Sequence, residues 1–445
     1  MPLSRHRVSL LVVCGLLSGP AAVRAADGNA VTEWAALIQT AVQNASSPPA
    51  RPPASSEVLH AMIHLAVYNA VVAIEGGSAP FPTGGAPLAP APGADVRAAV
   101  ATAAYLTARY QELAGSPWPD SARIAPSQYA YLDGTYAAYM AALPTGGATL
   151  AGIEVGTAAA AAILEHRKAD GFSATVLYAC SATPPDRLPI GEFEPNDGCD
   201  RPDRQPVDVK LAQVTPYTFA DPRSFRPDGP EPMTSRAYYD DFEETRTYGA
   251  AANSLRTEEQ TDVVRFWADN TYAQWNRNLI GLAIARGLDT RATARLFAMA
   301  HTASADALIA GFEAKYHYRA WRPRTAIPLA DEDPNPDTAA DPTWEPLLSV
   351  NHPEYPSAHG FWSRALVDTL AAFFGTHRFE WSVDSRTPML LHSRRTYSDL
   401  NALMREIDDA RVWGGLHWRH SIRHGGKMGR AVARHVVRTY FQPVP

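Results

Sequence analysis

The chain has 445 residues, a formal net charge of -6, 19% charged residues and 46% hydrophobic ones. That length can bury a large core as one domain or two. The composition is that of a soluble globular protein, and its acidic balance gives no reason to expect a nucleic-acid partner.

Residues 1–25 read as an export signal: Arg5-His6-Arg7 supplies positive charge, Val8 to Leu17 an apolar run, and Val23-Arg24-Ala25 a small-residue cleavage site. The run is too short to span a bilayer comfortably, so the expectation is an exported, periplasmic or extracellular protein that does not span the membrane. Cys14 lies in that run without a good lipobox, leaving Cys180 and Cys199 in the mature chain. An even pair in an oxidising compartment reads as a disulfide, the alternative being two unpaired thiols. By chain entropy the bridge is worth about 3 kcal/mol.

Residues 26–171 are expected to form an N-terminal helical bundle. From Glu57 to Ile74 the apolar residues Val58, Leu59, Met62, Ile63, Ala66, Val67, Ala70 and Val71 predict a helix buried on most sides. His60 and His64 on it have the spacing of a helical metal pair, but no accompanying carboxylate is evident, so they read as core or supporting histidines. Ala-rich helices are expected at 95–114, 125–142 and 148–168. Gly152 and Gly156 in the last suggest close helix packing in a soluble setting, because Glu154 lies between them.

Residues 172–255 form an irregular, Pro-rich segment holding both mature cysteines, read as a cover over a site. The C-terminal bundle, 256–445, opens on the capping box Thr257-Glu258-Glu259-Gln260. Asp289-Thr290 starts a helix on which Leu296, Ala300, Ala303, Ala307, Ala310 and Ala314 form a seam that delivers Lys315. Asp331 to Pro342 imitates a calcium loop but has Pro336 and Pro342 where Gly and Glu are needed, so it reads as an acidic surface loop. Ser357 is placed to cap a helix running to Gly375, with the Ala358 N–H at its positive end. A further helix spans 397–413. The last helix carries Arg419, Arg423, Lys427, Arg430, Arg434 and Arg438 as a basic stripe, read as a solvated or carboxylate-paired face.

Chemistry concentrates in three segments: Lys315 with Arg322-Pro323, Pro356-Ser357-Ala358-His359, and Arg411 with His417. Lys supplies a point charge and Arg a planar fork of donors, the set suited to a multiply charged oxyanion. Pro323 disfavours helix at Arg322 and turns the chain so that Arg322 folds back toward the ligand of Lys315.

In order and spacing these residues resemble the signature of the vanadium haloperoxidase and type-2 phosphatidic acid phosphatase superfamily: Lys-x6-Arg-Pro, Pro-Ser-Gly-His, Ser-Arg-x5-His-x3-Asp. Ala358 replaces Gly, Ala410 stands where Ser is expected, and Ser421 where Asp is expected. The resemblance is specific from Lys315 to His417 and extends more weakly from about His60 to the C-terminus. It implies an all-α protein of two packed helical bundles with the oxyanion site in the C-terminal one. It also implies vanadate as cofactor, held by Lys315, Arg322, Ser357, Ala358 and Arg411 and bonded to His417, with His359 as acid–base group. His352 and Phe312 occupy positions tied to halide handling in such enzymes, the alternative for His352 being a loop histidine with no catalytic part. The implied partners are hydrogen peroxide and a halide, bromide by preference. The same residues would serve an acid phosphatase acting on a phosphate ester through a phosphohistidine at His417.

Overall fold

The computed structural model describes residues 28–43, 52–109, 126–182, 188–199 and 204–444. The expected signal sequence lies outside the described residues. Helices α1 (Ala30–Gln43), α2 (Pro53–Glu75), α3 (Val96–Arg109), α4 (Pro126–Ala141) and α5 (Gly147–Arg167) make the N-terminal half. Pro52 and Pro53 open α2 with a preset φ, and Gly76 leaves it at φ 64°. Being apolar on nearly every side, α2 is buried continuously from Ala54 to Val71. Gly152 and Gly156 set α5 directly against the backbone of Asp95 and Ala99, at and just before the start of α3, as the small-residue spacing suggests. By length and composition α2 and α5 pass as membrane-crossing helices, yet α2 is the central core helix and α5 lays its glycine face on α3.

The C-terminal half comprises α6 (Arg236–Gly249), α7 (Glu258–Phe266), α8 (Thr271–Ala285), α9 (Thr290–Tyr318), the short α10 (Pro323–Ala326), α11 (Ala358–Phe374), α12 (Leu400–Trp413) and α13 (Arg419–Thr439). The capping box of α7 forms in both directions, and Asp289 caps α9 by accepting from the Ala292 N–H at 2.7 Å. Between α11 and α12 a two-stranded antiparallel hairpin, β1 (Trp381–Asp384) and β2 (Arg394–Tyr397), pairs Trp381 with Tyr397. The sequence reading did not foresee it. Nor is the whole of 172–255 irregular: Ser235 caps α6 by accepting from the Tyr238 N–H at 3.1 Å. Cys180 and Cys199 are disulfide-bonded, with Cα atoms 6.0 Å apart.

The two halves share one core, in which α2 packs along α9, α1 meets α3 and α8 on one side, and α11 packs on α9 and α13 on the other. A second apolar cluster of Tyr238, Phe242, Trp321, Ile327, Trp344 and Trp418 fixes the segments after α9 and before α13. The α11–α13 crossing depends on Gly360, Gly425 and Gly429, since a Cβ on Gly429 would overlap the Phe361 backbone. On the solvent side of α13, Arg419 pairs with Glu244 and Asp409, and Arg430 with Asp368.

Gly429→Ala is therefore expected to destabilise the protein by roughly 1–3 kcal/mol through overpacking. The expected readout is a lowered thermal midpoint with unchanged helical circular dichroism. An unchanged midpoint would show that the crossing can relax.

Candidate active site

The alanine seam of α9 lies in a stretch buried from Leu296 to Lys315 and carries Lys315 inward, where it is 0% exposed. Its ammonium donates to the carbonyls of Pro353 (2.8 Å) and Glu354 (3.0 Å). The helix stops at Tyr318 because Arg319 turns left-handed at φ 50°, donating its N–H back to the Lys315 carbonyl at 2.9 Å. The chain runs extended through Arg322 before Pro323 opens α10, so Arg322 does fold back as expected. Its guanidinium donates to the His352 carbonyl (2.6 Å), the Leu416 carbonyl (2.7 Å) and His352 Nδ1 (2.9 Å). One buried side chain thereby joins the loop before α11 to the residue preceding His417.

His417 is 2% exposed, and its Nδ1 lies 2.8 Å from Glu354 Oε1. The same oxygen accepts the Trp418 N–H at 3.1 Å. A carboxylate on Nδ1 fixes the proton there and leaves the Nε2 lone pair available. The carboxylate that the signature places four residues after this histidine is thus supplied from elsewhere. Ser421 does not orient His417; its carbonyl accepts the Ser357 N–H at 3.2 Å instead. The sequence reading passed over Glu354. Its signal was available, since it is the only acidic residue between Pro346 and His359.

Ser357 stands at the N-cap of α11 but makes no capping hydrogen bond, against expectation. Its hydroxyl is buried without a partner among the described residues, as is Arg411 Nε. Arg411 Nη1 donates to the Trp267 carbonyl at 3.1 Å. Ala358 begins α11 with helical backbone, so the position does not need the freedom of Gly, and its N–H is one of those a helix start leaves without an intrahelical acceptor. His359 Nε2 lies 3.3 Å from Thr271 Oγ1 and is partly exposed. His352 stacks obliquely on Phe312 at 5.6 Å.

Charge defines what this cluster lacks. Lys315 and Arg322 are buried with Glu354 as a carboxylate neighbour, and Arg411 is buried close to Arg322. Burial and Arg322 push Lys315 well below the usual amine range. Burial and Arg322 bring Arg411 down to about 9, while burial brings Arg322 to about 10 against the pull of Glu354. Burial and the surrounding cations hold His417, His352 and His359 well below the ordinary imidazole value. A surplus of fixed positive charge with an orphaned hydroxyl and an orphaned guanidinium N–H fits a multiply charged oxyanion such as vanadate or phosphate. The three sequence segments thus converge. A surface cavity of about 660 Å³ beside Asp368, His377, Arg430 and Arg434 includes none of these residues.

Residues 295–444 match the family model of the VCPO second helical-bundle domain. By sequence, no curated protein matches the chain. Among solved structures it is similar to that of the first bacterial vanadium-dependent iodoperoxidase, with a TM-score of 0.74 at 20% identity over 93% of this chain and 98% of that one. It is also similar to a bacterial vanadium-dependent chloroperoxidase in its apo and holo forms, with TM-scores of 0.64 and 0.66 at 16% identity. Those matches cover 88% and 90% of this chain and 95% of each of theirs. At such identities the likeness is one of fold.

Two outcomes follow from the geometry. Glu354→Gln is expected to weaken vanadate binding roughly 10–100-fold while the protein stays folded, as for other partners that orient a ligating histidine. Sulfate, which does not titrate near neutrality, is expected to bind with proton uptake. An anion raises the depressed values of Lys315 and the imidazoles, so affinity falls as pH rises between the free-site and bound-site values. Calorimetry in two buffers of different ionisation enthalpy reads this directly, and the absence of proton uptake would contradict the depressed values of Lys315 and the imidazoles.

Proposed function

We propose that this chain, a member of the vanadium haloperoxidase and type-2 phosphatidic acid phosphatase superfamily, is a vanadate-dependent haloperoxidase using hydrogen peroxide to oxidise bromide. The reading rests above all on one observation: three buried cations and an unpartnered Ser357 hydroxyl beside a histidine whose Nδ1 is held by Glu354. Lys315, Arg322, Ser357, the Ala358 N–H and Arg411 would hold the oxygens of vanadate, and His417 would bond it through Nε2. Bound there, vanadate supplies the Lewis-acid centre at which peroxide is made electrophilic toward halide.

The protein's own work is electrostatic and protonic. Fixed cations stabilise negative charge on the oxygens without reorganising, and burial strengthens each interaction. Neutral His359 can accept a proton from incoming peroxide and return it to the departing oxygen. Lys315 donates to two backbone carbonyls and so would have one donor left for an oxygen of the bound oxyanion. In balance, halide gives two electrons to the peroxide O–O bond, which breaks to hypohalous acid and water with uptake of one proton. His352, bonded to Arg322 and packed on Phe312, is placed to bias which halide approaches. The similar solved structures include both an iodoperoxidase and a chloroperoxidase, so halide preference is a matter of such neighbours and not of the fold.

Glu354 also supports a second reading. A carboxylate on His417 Nδ1 is what a phosphohistidine mechanism needs, so an acid phosphatase remains the alternative. Export is part of the proposal, supported by the Cys180–Cys199 bridge, which suits an oxidising compartment.

The test sets oxidation of iodide, bromide and chloride beside hydrolysis of a small phosphate ester, each with and without vanadate. Wild type is expected to oxidise bromide only when vanadate-loaded, and His417→Ala to fall to the level of free vanadate. Ester hydrolysis that vanadate inhibits, without halide oxidation, would overturn the haloperoxidase assignment in favour of the phosphatase.

A further inference from the structure

Away from the oxyanion cluster, where α2 meets α8 and α9, His60, His64 and His301 lie together at no more than 2% exposure. One nitrogen of each falls within 4.8 Å of the others. The bonds they make already select the atoms that remain. His301 Nδ1 lies 2.9 Å from Glu57 Oε1, and His60 Nδ1 lies 2.8 Å from the Tyr272 hydroxyl. What is left is His60 Nε2, His301 Nε2 and both nitrogens of His64, all buried and without a partner among the described residues. Glu57 Oε2 is likewise orphaned.

So many unsatisfied polar atoms at one point in an apolar core have a high cost unless something satisfies them. We propose that His60, His64 and His301 form a binding site for a divalent first-row transition ion such as Zn2+. Three imidazoles match the nitrogen preference of such ions, and a carboxylate on the far nitrogen of His301 is the arrangement that fixes a ligating histidine's tautomer.

Tetrahedral ligation needs the nitrogens about 3.3 Å apart, given zinc–nitrogen bonds of about 2.0–2.1 Å. His64 must turn to reach this, because its ring lies parallel to His301 at 4.6 Å, and no hydrogen bond among the described residues restrains it. The ion would join α2 of the N-terminal half to α9 of the C-terminal half, so its role is to bind the two bundles together. The site is separate from the oxyanion cluster, though adjacent residues touch each: Thr271 reaches His359 and Tyr272 reaches His60.

The experiment uses the untagged full chain produced in medium supplemented with Zn2+ or, separately, Co2+, then desalted and analysed for metal. One tightly retained ion per chain is expected, the Co2+ form showing the visible absorption of a tetrahedral, nitrogen-ligated centre. His64→Phe, which keeps a ring beside Phe297, is expected to lose the ion, and Glu57→Gln to hold it roughly 10–100-fold more weakly. His392→Ala, altering the more exposed Glu259–Asp262–His392 group, and His417→Ala are expected to retain it. Wild type without a stoichiometric ion would overturn the proposal, as would a folded His64→Phe that keeps it. Should His64→Phe not fold, a Co2+ spectrum lacking nitrogen ligation in wild type overturns it equally.

Discussion

Everything in the C-terminal half answers to three cations buried together. A surface ion pair contributes about 0–1 kcal/mol, whereas leaving a buried charge without its partner costs about 3–5 kcal/mol. Burial therefore decides the local structure. The carbonyls of His352, Pro353, Glu354 and Leu416 turn inward because Lys315 and Arg322 take them as acceptors. Those bonds solvate the cations without cancelling their charge. Among the described residues Glu354 is the acidic group that Lys315 and Arg322 face, and an anionic ligand is what completes the cluster.

How much of this was legible follows from the range of each interaction. The capping box at Thr257, the start at Asp289 and the alanine seam down to Lys315 are written within one or two turns and formed as read. The spacing of Lys315, Arg322, Ser357, His359, Arg411 and His417 marked the site through its resemblance to a known signature, and the fold brings those segments together. What escaped notice depends on partners distant in sequence. Glu354 stood out as the lone acidic residue of its stretch, but its role as an orienting group did not, because its histidine is 63 residues away. His60 and His64 looked unaccompanied because His301 arrives on α9, and because Glu57 acts on that histidine and not on its helix neighbours. Helix α6 was masked by the prolines before it, although Ser235 was a usable cap.

The Pro-rich segment gains its meaning from the same cluster. Arg319, left-handed at the end of α9, pairs with Glu192, and its carbonyl accepts the Phe193 N–H at 2.7 Å. Trp321 donates to the Gly191 carbonyl at 2.9 Å, and Val207 to that of Asn351 at 2.7 Å. The segment closed by Cys180 and Cys199 thus clasps the stretch between Lys315 and Arg322, and Val207 beyond that loop holds the residue before His352. A strained turn placed immediately after a buried lysine needs such external bonds, since it has few of its own.

Moving the orienting carboxylate from α13 to the loop before α11 has a mechanical consequence. A carboxylate at position 421, in the first turn of α13, would hold the ring from the C-terminal side without involving the loop before α11. Glu354 instead orients His417 with its side chain while its carbonyl accepts from Lys315, and the neighbouring carbonyls of His352 and Pro353 accept from Arg322. The position of the imidazole is therefore tied to the cations, and disturbing any one of them moves the loop that aims the histidine. Side chains joined in this way act as a unit, so their separate removals do not add. The site's identity lies in that shared loop as much as in the residues that would touch a ligand.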